Sequence, residues 1–319
     1  MNVREELGQI SWFTKRYREP RRWLRQLRVI RHLDLPALPR QRRRPGEVWG
    51  VSLVRDEGDV IEATVRHLFG QGVDHLLIAD NGSHDGTLEL LRRLSAELPR
   101  LHVALDREPA YLQSEKMTWL AHHAWRAGAD WIVPFDADEF WFARGTTVAD
   151  YLRRQTVGIV HANFHHMVPT VASPEPLVDA EFILDSTPSW PGKVAARSHP
   201  LLEIIPGNHG ASRVGGETDG LFIAHAQYRS PVQVARKVRQ GTAAARLTGE
   251  KLDWFSPHWE EGSKLSDAGI EDVWNNISHG RPDARLGYKA AGPMLSLHPL
   301  QWRTWDPDGV VGGRLTDSR

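Results

Sequence analysis

The 319-residue sequence contains no cysteine. That absence excludes disulfide frameworks, thiolate zinc sites and cysteine nucleophiles together. Nor does charge of either sign dominate. Forty Lys and Arg against forty Asp and Glu give a formal net charge of +0, so there is no bulk electrostatic footprint for a nucleic-acid partner. No apolar run approaches the length of a membrane span. Residues 1–18 mix charges with isolated aromatics, where a secretory leader would carry an apolar core. A cytoplasmic protein is therefore expected. Lysine is scarce beside arginine, a bias that fits base composition better than function. Internal repeats and low-complexity tracts are missing as well.

What is present is a core-forming chain, 40% hydrophobic. Residues 1–46 read as a basic extension and linker. Arg16, Arg18, Arg21, Arg22, Arg25, Arg28 and Arg31 surround Trp23, Leu27 and Ile30, which recur at about one helical turn. Such a helix either packs on the catalytic domain with a solvated arginine face or lies on an anionic membrane as a peripheral contact. Pro36, Pro39 and Pro45 mark the linker. Residues 47–250 read as one α/β domain and 251–319 as a separate C-terminal region.

From Glu47 the pattern alternates. Val48–Val54, His75–Ala79, Leu101–Leu105 and Trp131–Phe135 are short apolar runs, expected as strands. Asp56–Phe69, Thr87–Leu98 and Ser114–Ala127 carry apolar residues at helical spacing. Strands alternating with helices imply βαβ units and a parallel sheet. Ile159–Phe164, Lys193–Arg197, Leu202–Ile205 and Leu221–His225 read as strands of a mixed region, and Ser230–Arg246 as a helix. Ligands of such sheets bind beyond the carboxyl ends of the strands. The loops opening at Arg55, Asp80, Asp106 and Asp136 all fall there.

The strongest chemical signal is Asp136-Ala137-Asp138-Glu139 at a strand end. Alternate residues of a strand share a face, so Asp136 and Asp138 are expected to converge. Paired carboxylates repel unless a cation joins them, and oxygen ligands suit Mg²⁺ or Mn²⁺ with positions left for substrate phosphates. The competing reading is a helix-capping turn. Asp80-Asn81-Gly82-Ser83 forms a tight turn whose carboxylate can bind a nucleobase or ribose. His225 ends an apolar run before a helix. Lys193 and Arg197 alternate with apolar residues and can face a diphosphate. His209 sits in a glycine-flanked turn. Thirteen Trp, among them Trp141, Trp190, Trp254 and Trp259, can stack on sugars or fill the core.

The succession VSLVRDEGDVIEATVRHLFGQGVDHLLIADNGSHDGT, followed by DWIVPFDADEFW, resembles family 2 glycosyltransferases, in the branch whose metal motif reads D-x-D-E-F. The resemblance covers about Val48 to Gly241. It implies a GT-A fold: a Rossmann-like, mostly parallel sheet flanked by helices, with a mixed C-terminal acceptor region. It further implies a nucleoside diphosphate sugar donor, often a UDP-sugar, and Mn²⁺ or Mg²⁺ at Asp136, Asp138 and His225. Donor contacts fall on Val54, Asp80, Asn81, Lys116, Asp136 and Lys193. The family's usual base motif has no counterpart here. His209, Glu217 and Asp219 stand as alternative catalytic bases for an inverting transfer to an acceptor that the sequence leaves unidentified. A non-catalytic nucleotide-sugar-binding scaffold and a sugar nucleotidyltransferase are the rival readings. The second wants a glycine-rich loop after the first strand, where this chain has Arg55-Asp56-Glu57-Gly58.

Overall fold

A computed structural model describes residues 3–16, 18–172, 177–249, 257–288 and 292–308. The elements in chain order begin with α1 (Val3–Arg16), α2 (Pro20–His32), β1 (Leu33–Asp34), β2 (Val48–Val54), α3 (Ile61–Gly70), β3 (His75–Asp80), α4 (Thr87–Glu97), β4 (Leu101–Asp106), α5 (Gln113–Arg126) and β5 (Trp131–Pro134). They continue with β6 (Glu139–Ala143), α6 (Val148–Arg153), β7 (Ile159–Pro169), β8 (Phe182–Asp185), β9 (Ser189–Arg197), β10 (Glu217–His225), α7 (Pro231–Arg246), α8 (Pro257–Ser263), α9 (Asp267–Ser278) and β11 (Met294–Leu297).

The main sheet runs β1-β4-β3-β2-β5-β9-β7-β10-β6. Its β4-β3-β2-β5 portion is parallel, as the alternating pattern predicts. Beyond β5 the sheet is mixed: β9 runs antiparallel to β5 and β7, β10 parallel to β7, and β6 antiparallel to β10. Alternation explains how these apolar runs are buried on both faces. Leu76 and Ile78 of β3 enter one core with α3 and α4, while Leu77 and Ala79 enter the other with α5. A third apolar cluster joins α7 and α9 through Val234, Val238, Ile270, Val273 and Ile277.

Three expectations shift. The helix expected from Asp56 starts only at Ile61, because Asp56–Asp59 is held out as a loop by side-chain partners described below. Leu202–Ile205 is no strand; Ile204 makes a single bridge to Ala211 and a 3₁₀ turn follows at Pro206–Asn208. Asp136–Asp138 is a turn, not extended chain, since β5 ends at Pro134 and Glu139 N–H donates to the Asp136 carbonyl at 3.1 Å.

The segment expected as an extension and linker is part of the domain surface. Leu33 and Asp34 pair with Asp106 and Leu105 at the sheet edge, and Val29 is buried with Leu33 in the α5-side core. Arg28 donates from Nε and Nη2, one edge of its guanidinium, to the two carboxylate oxygens of Glu108. These attachments orient α2 so that Trp23, Leu27 and Ile30, expected to face inward in the packed reading, face solvent instead.

Burial holds the His67 and His122 imidazoles down to about 4 and His166 down to about 3, against 6.5 for a free imidazole. The unfolded chain therefore takes up these protons near 6.5, while the folded protein does so only near 3 to 4. Their contribution to stability is complete above the unfolded value and is lost as pH falls through this window. The melting temperature is expected to drop from about pH 7 to about pH 5, and His67→Gln to flatten the drop. Equal pH slopes for wild type and His67→Gln in thermal melts contradict this.

Candidate active site

The carboxyl ends of β2, β3 and β5 open onto one pocket, closed from above by α7. Val54, Asp56, Glu57, Asn81, Asp136 and Asp138 line it from the sheet side. From α7 come Gln233, Lys237, Gln240 and Ala244 at helical spacing, together with Arg236. Trp259 of α8 completes the wall and meets Tyr111 edge-on at 5.2 Å between ring centroids. Among the other expected tryptophans, Trp141 is buried in the core and Trp190 is exposed. Trp254 lies outside the described residues.

The organising group is Arg229, fully buried just after β10. Its guanidinium binds Asp59 at 2.7 and 3.0 Å, Glu57, and the Ala226 carbonyl at 2.9 Å; Asp138 lies at 3.5 Å. Lys237 Nζ reaches Asp138 Oδ2 at 2.5 Å and Glu57 at 3.8 Å. Burial opposes ionisation of Asp138, yet Lys237, His225 and Arg229 hold its carboxyl well below the usual range. Burial pushes Glu57 up in spite of the same two cations. Three carboxylates (Glu57, Asp59, Asp138) against two cations (Arg229, Lys237) leave one negative charge in excess.

Asp136 and Asp138 both line this pocket, but the turn between them gives their carboxylates different partners. Asp136 accepts from Lys193 Nζ at 2.9 Å and from Asn208 Nδ2 at 3.0 Å. Lys193 also bridges to Glu139 at 2.9 Å; burial disfavours its charge, but Asp136 and Glu139 outweigh this and raise it. Asp138 instead faces His225, with Oδ1 3.3 Å from Nε2. The β6–β10 pairing brings them together by placing His225 opposite Glu139, while Ala226 N–H donates to the Asp138 carbonyl at 2.8 Å.

A divalent metal can be tested against these groups. Asp138 Oδ1 has only His225 Nε2 near it, at 3.3 Å, and the other ring nitrogen, His225 Nδ1, is buried without a partner. Among the described residues no three His, Asp or Glu side chains gather as a ready metal cage. Two such groups fit an ion that takes its remaining ligands from phosphate oxygens and water. A three-residue site that includes Asp136 is not assembled.

The remaining candidates separate by position. Asp80 Oδ1 accepts from the Gly82 and Ser83 N–H groups at 3.1 Å each, and Gly82 takes the left-handed φ of +69° that the tight turn requires. Asp80 Oδ2 is buried and unpartnered. Asn81 lines the pocket, anchored by a bond from Nδ2 to Asp106 Oδ2 at 2.7 Å. Lys116 is buried behind the wall, bound to Asp106 at 2.7 Å, and does not line the pocket. His209 follows the turn that delivers Asn208 to Asp136, with Nδ1 2.8 Å from the Gly192 carbonyl. Glu217 and Asp219 begin β10, and Glu217 pairs with His161. At about 3.3 Å per residue they lie roughly 20 Å or more along the strand from His225, too far to act as base.

Sequence reasoning missed Arg229, Lys237 and Glu57. The signal available was the acid-rich Arg55–Asp59 loop, whose carboxylates require buried cations, and the helical spacing of polar residues after Ser230.

A cavity of about 850 Å³ lies at the opposite edge of the sheet, among Arg43, Asp130, Arg153, Arg197 and Arg213. Its cations already face carboxylates: Arg43 and Arg197 meet Asp130, Arg153 meets Asp74, and Arg213 lies near Glu6.

The model of the family described as Glycosyl transferase family 2 matches residues 52–166. No curated protein matches the chain at a significant level. Among solved structures, TarS 1-349 from S. aureus is 10% identical with a TM-score of 0.37, covering 79% of this chain and 99% of its own. The mannosyltransferase PcManGT from Pyrobaculum calidifontis, in complex with GDP-Man and Mn²⁺, is 17% identical with a TM-score of 0.39, covering 86% and 84%. A 4-diphosphocytidyl-2C-methyl-D-erythritol synthase from Anaerococcus prevotii is 12% identical with a TM-score of 0.29, covering 48% and 71%. These three likenesses are too distant to bear on function.

Arg229→Met takes the shared buried cation from the half-buried Glu57 and Asp59 and from the buried Asp138, so it should destabilise the fold by about 3 kcal/mol. Lys237 is partly exposed and Arg229 and His225 stay beside Asp138 without it, so Lys237→Met should lose clearly less than Arg229→Met in urea titrations. Equal losses for the two variants contradict the hub assignment.

Proposed function

Because this chain is a glycosyltransferase, belonging to glycosyl transferase family 2 over residues 52–166, we propose that it moves a sugar from a nucleoside diphosphate sugar to an acceptor hydroxyl with inversion. The observation that carries the donor reading is the Asp138–His225 pair with Lys237 and Arg236 beside it, at the carboxyl edge of a parallel sheet. Asp80, with a buried free carboxylate oxygen, suits an imide N–H of a base such as uracil. Val54 and Asn81 form the adjoining wall.

Lys237 and Arg236 are placed to bind the diphosphate and to stabilise charge that grows on the leaving group. Asp138 and His225 would hold a Mn²⁺ or Mg²⁺ ion, which, when bound, neutralises the same phosphates as a Lewis acid. Lys193 and Asn208 fix Asp136 at the pocket floor, where its carboxylate can accept from ribose or sugar hydroxyls. The 251–319 region supplies Trp259 and so borders the acceptor side.

Of the three candidate bases, His209 alone stays near this floor. Its Nδ1 rests on the Gly192 carbonyl, which assigns the proton to Nδ1 and leaves Nε2 as acceptor. Burial, then the charge of Lys193, holds the imidazole below 6.5, so it is neutral at pH 7 and competent to take the acceptor's proton.

A nucleotide-sugar panel with Mn²⁺, read as release of free nucleoside diphosphate, tests the activity itself. Pyrophosphate chemistry would favour the nucleotidyltransferase, and no turnover the scaffold. Asp138→Asn should abolish turnover with the fold intact, whereas Asp80→Ala should raise KM and spare kcat, since a base contact is equal in ground and transition states. His209→Gln should lower kcat by about 10²–10⁴-fold. The acidic limb of the wild-type kcat/KM profile should fall below 6.5, following the depressed imidazole. A limb above that value, or wild-type kcat in His209→Gln, removes His209 from the mechanism.

A further inference from the structure

The outward face of α2 is apolar and its flanks are basic. Leu24 is 66% exposed, Trp23 48%, Leu27 45% and Ile30 37%. On the same helix Gln26 and Val29 are turned inward and buried. The usual distribution of a surface helix, apolar in and polar out, is thus reversed. The reversal is fixed by the Arg28–Glu108 pair, the bond from Gln26 to the Glu115 carbonyl and the pairing of β1 that follows. Arg18, Arg21 and Arg31 are exposed around this stripe.

We propose that α2 is a membrane-docking face that seats the protein on an anionic lipid surface. Leu24, Leu27 and Ile30 would enter the headgroup–acyl boundary with Trp23 at interface depth, while the arginines meet lipid phosphates. The charge decides the occupant. A second copy of this chain would bring the same arginines against one another, whereas an anionic bilayer complements them. The placement has a functional sense. A cleft of about 260 Å³ is lined on one side by Arg21, Arg22 and Arg25 of α2, and on the other by Tyr111 and Gln113, which also line the donor pocket. The cleft lies on the inward side of α2, so a lipid-borne acceptor would reach the pocket past the width of that one helix, about 10 Å.

Co-sedimentation of the full chain with vesicles of phosphatidylcholine alone, or mixed with phosphatidylglycerol, tests this at low and high salt. Binding is expected to the mixed vesicles, weakened by salt, and lower by about tenfold or more in the Leu24→Glu/Leu27→Glu variant, which loses two interfacial apolar side chains. Both substitutions lie on exposed positions, so the melting temperature and donor hydrolysis in solution should match wild type. This separates a failure of docking from a failure of the donor reading. Arg21→Glu/Arg31→Glu should likewise release the protein from mixed vesicles. Equal binding by wild type and the leucine variant would overturn the proposal, as would indifference to lipid charge. So would a concentration-dependent dimer in sedimentation velocity that the leucine variant abolishes while vesicles are ignored.

Discussion

A buried guanidinium beside three carboxylates organises the pocket at the carboxyl edge of the sheet. Arg229 lies just past β10, yet its partners come from the β2–α3 loop and the β5–β6 turn. Each carboxylate would be costly alone in this burial, and each is tolerated because one cation serves them all. The shape of the pocket follows. The loop after β2 cannot continue as helix from Asp56 while Glu57 and Asp59 reach Arg229, so α3 starts late and the rim stays open. Ser230 then caps α7 through the Gln233 N–H at 3.2 Å, which launches the helix over the pocket with Lys237 above Asp138.

The parallel half of the fold was readable because its strands are short apolar runs between helical patterns, and burial on both faces leaves few other arrangements. β6 was not readable. Glu139–Ala143 continues an apolar run from Trp131, and only the turn at Asp136–Asp138 divides it. That turn also defeated the inference that alternate residues share a face, which holds for extended chain alone. The two aspartates therefore take different partners, Asp136 pairing with Lys193 and Asp138 with Lys237 and His225. Lys116 misled for a related reason, since spacing cannot distinguish a lysine lining a pocket from one buried behind it against Asp106.

The α2 stripe teaches the same point from another side. Trp23, Leu27 and Ile30 were legible as one face of a helix, and they are one face. Periodicity reports that residues share a side and is silent about what that side meets. The inward direction was set by single polar attachments, Arg28 to Glu108 and Gln26 to a backbone carbonyl, which no hydrophobic pattern encodes. Burial of Gln26 rather than Leu27 is the outcome.

The antiparallel β6–β10 ladder has a consequence for how this chain can vary. His225 and Asp138 sit at one end of the ladder, and Leu221 faces Ala143 at the other. Side chains along a strand alternate, so adding or deleting a single residue within Leu221–Ala224 would rotate His225 to the opposite face of the sheet. The connection from β6 to β7, residues 144–158, by contrast holds a short helix and loops and none of the site residues. Natural sequences sharing this architecture should therefore show length polymorphism in that connection and uniform length within β6 and β10, a spacing rule that can guide the alignment of remote relatives where residue identity has faded.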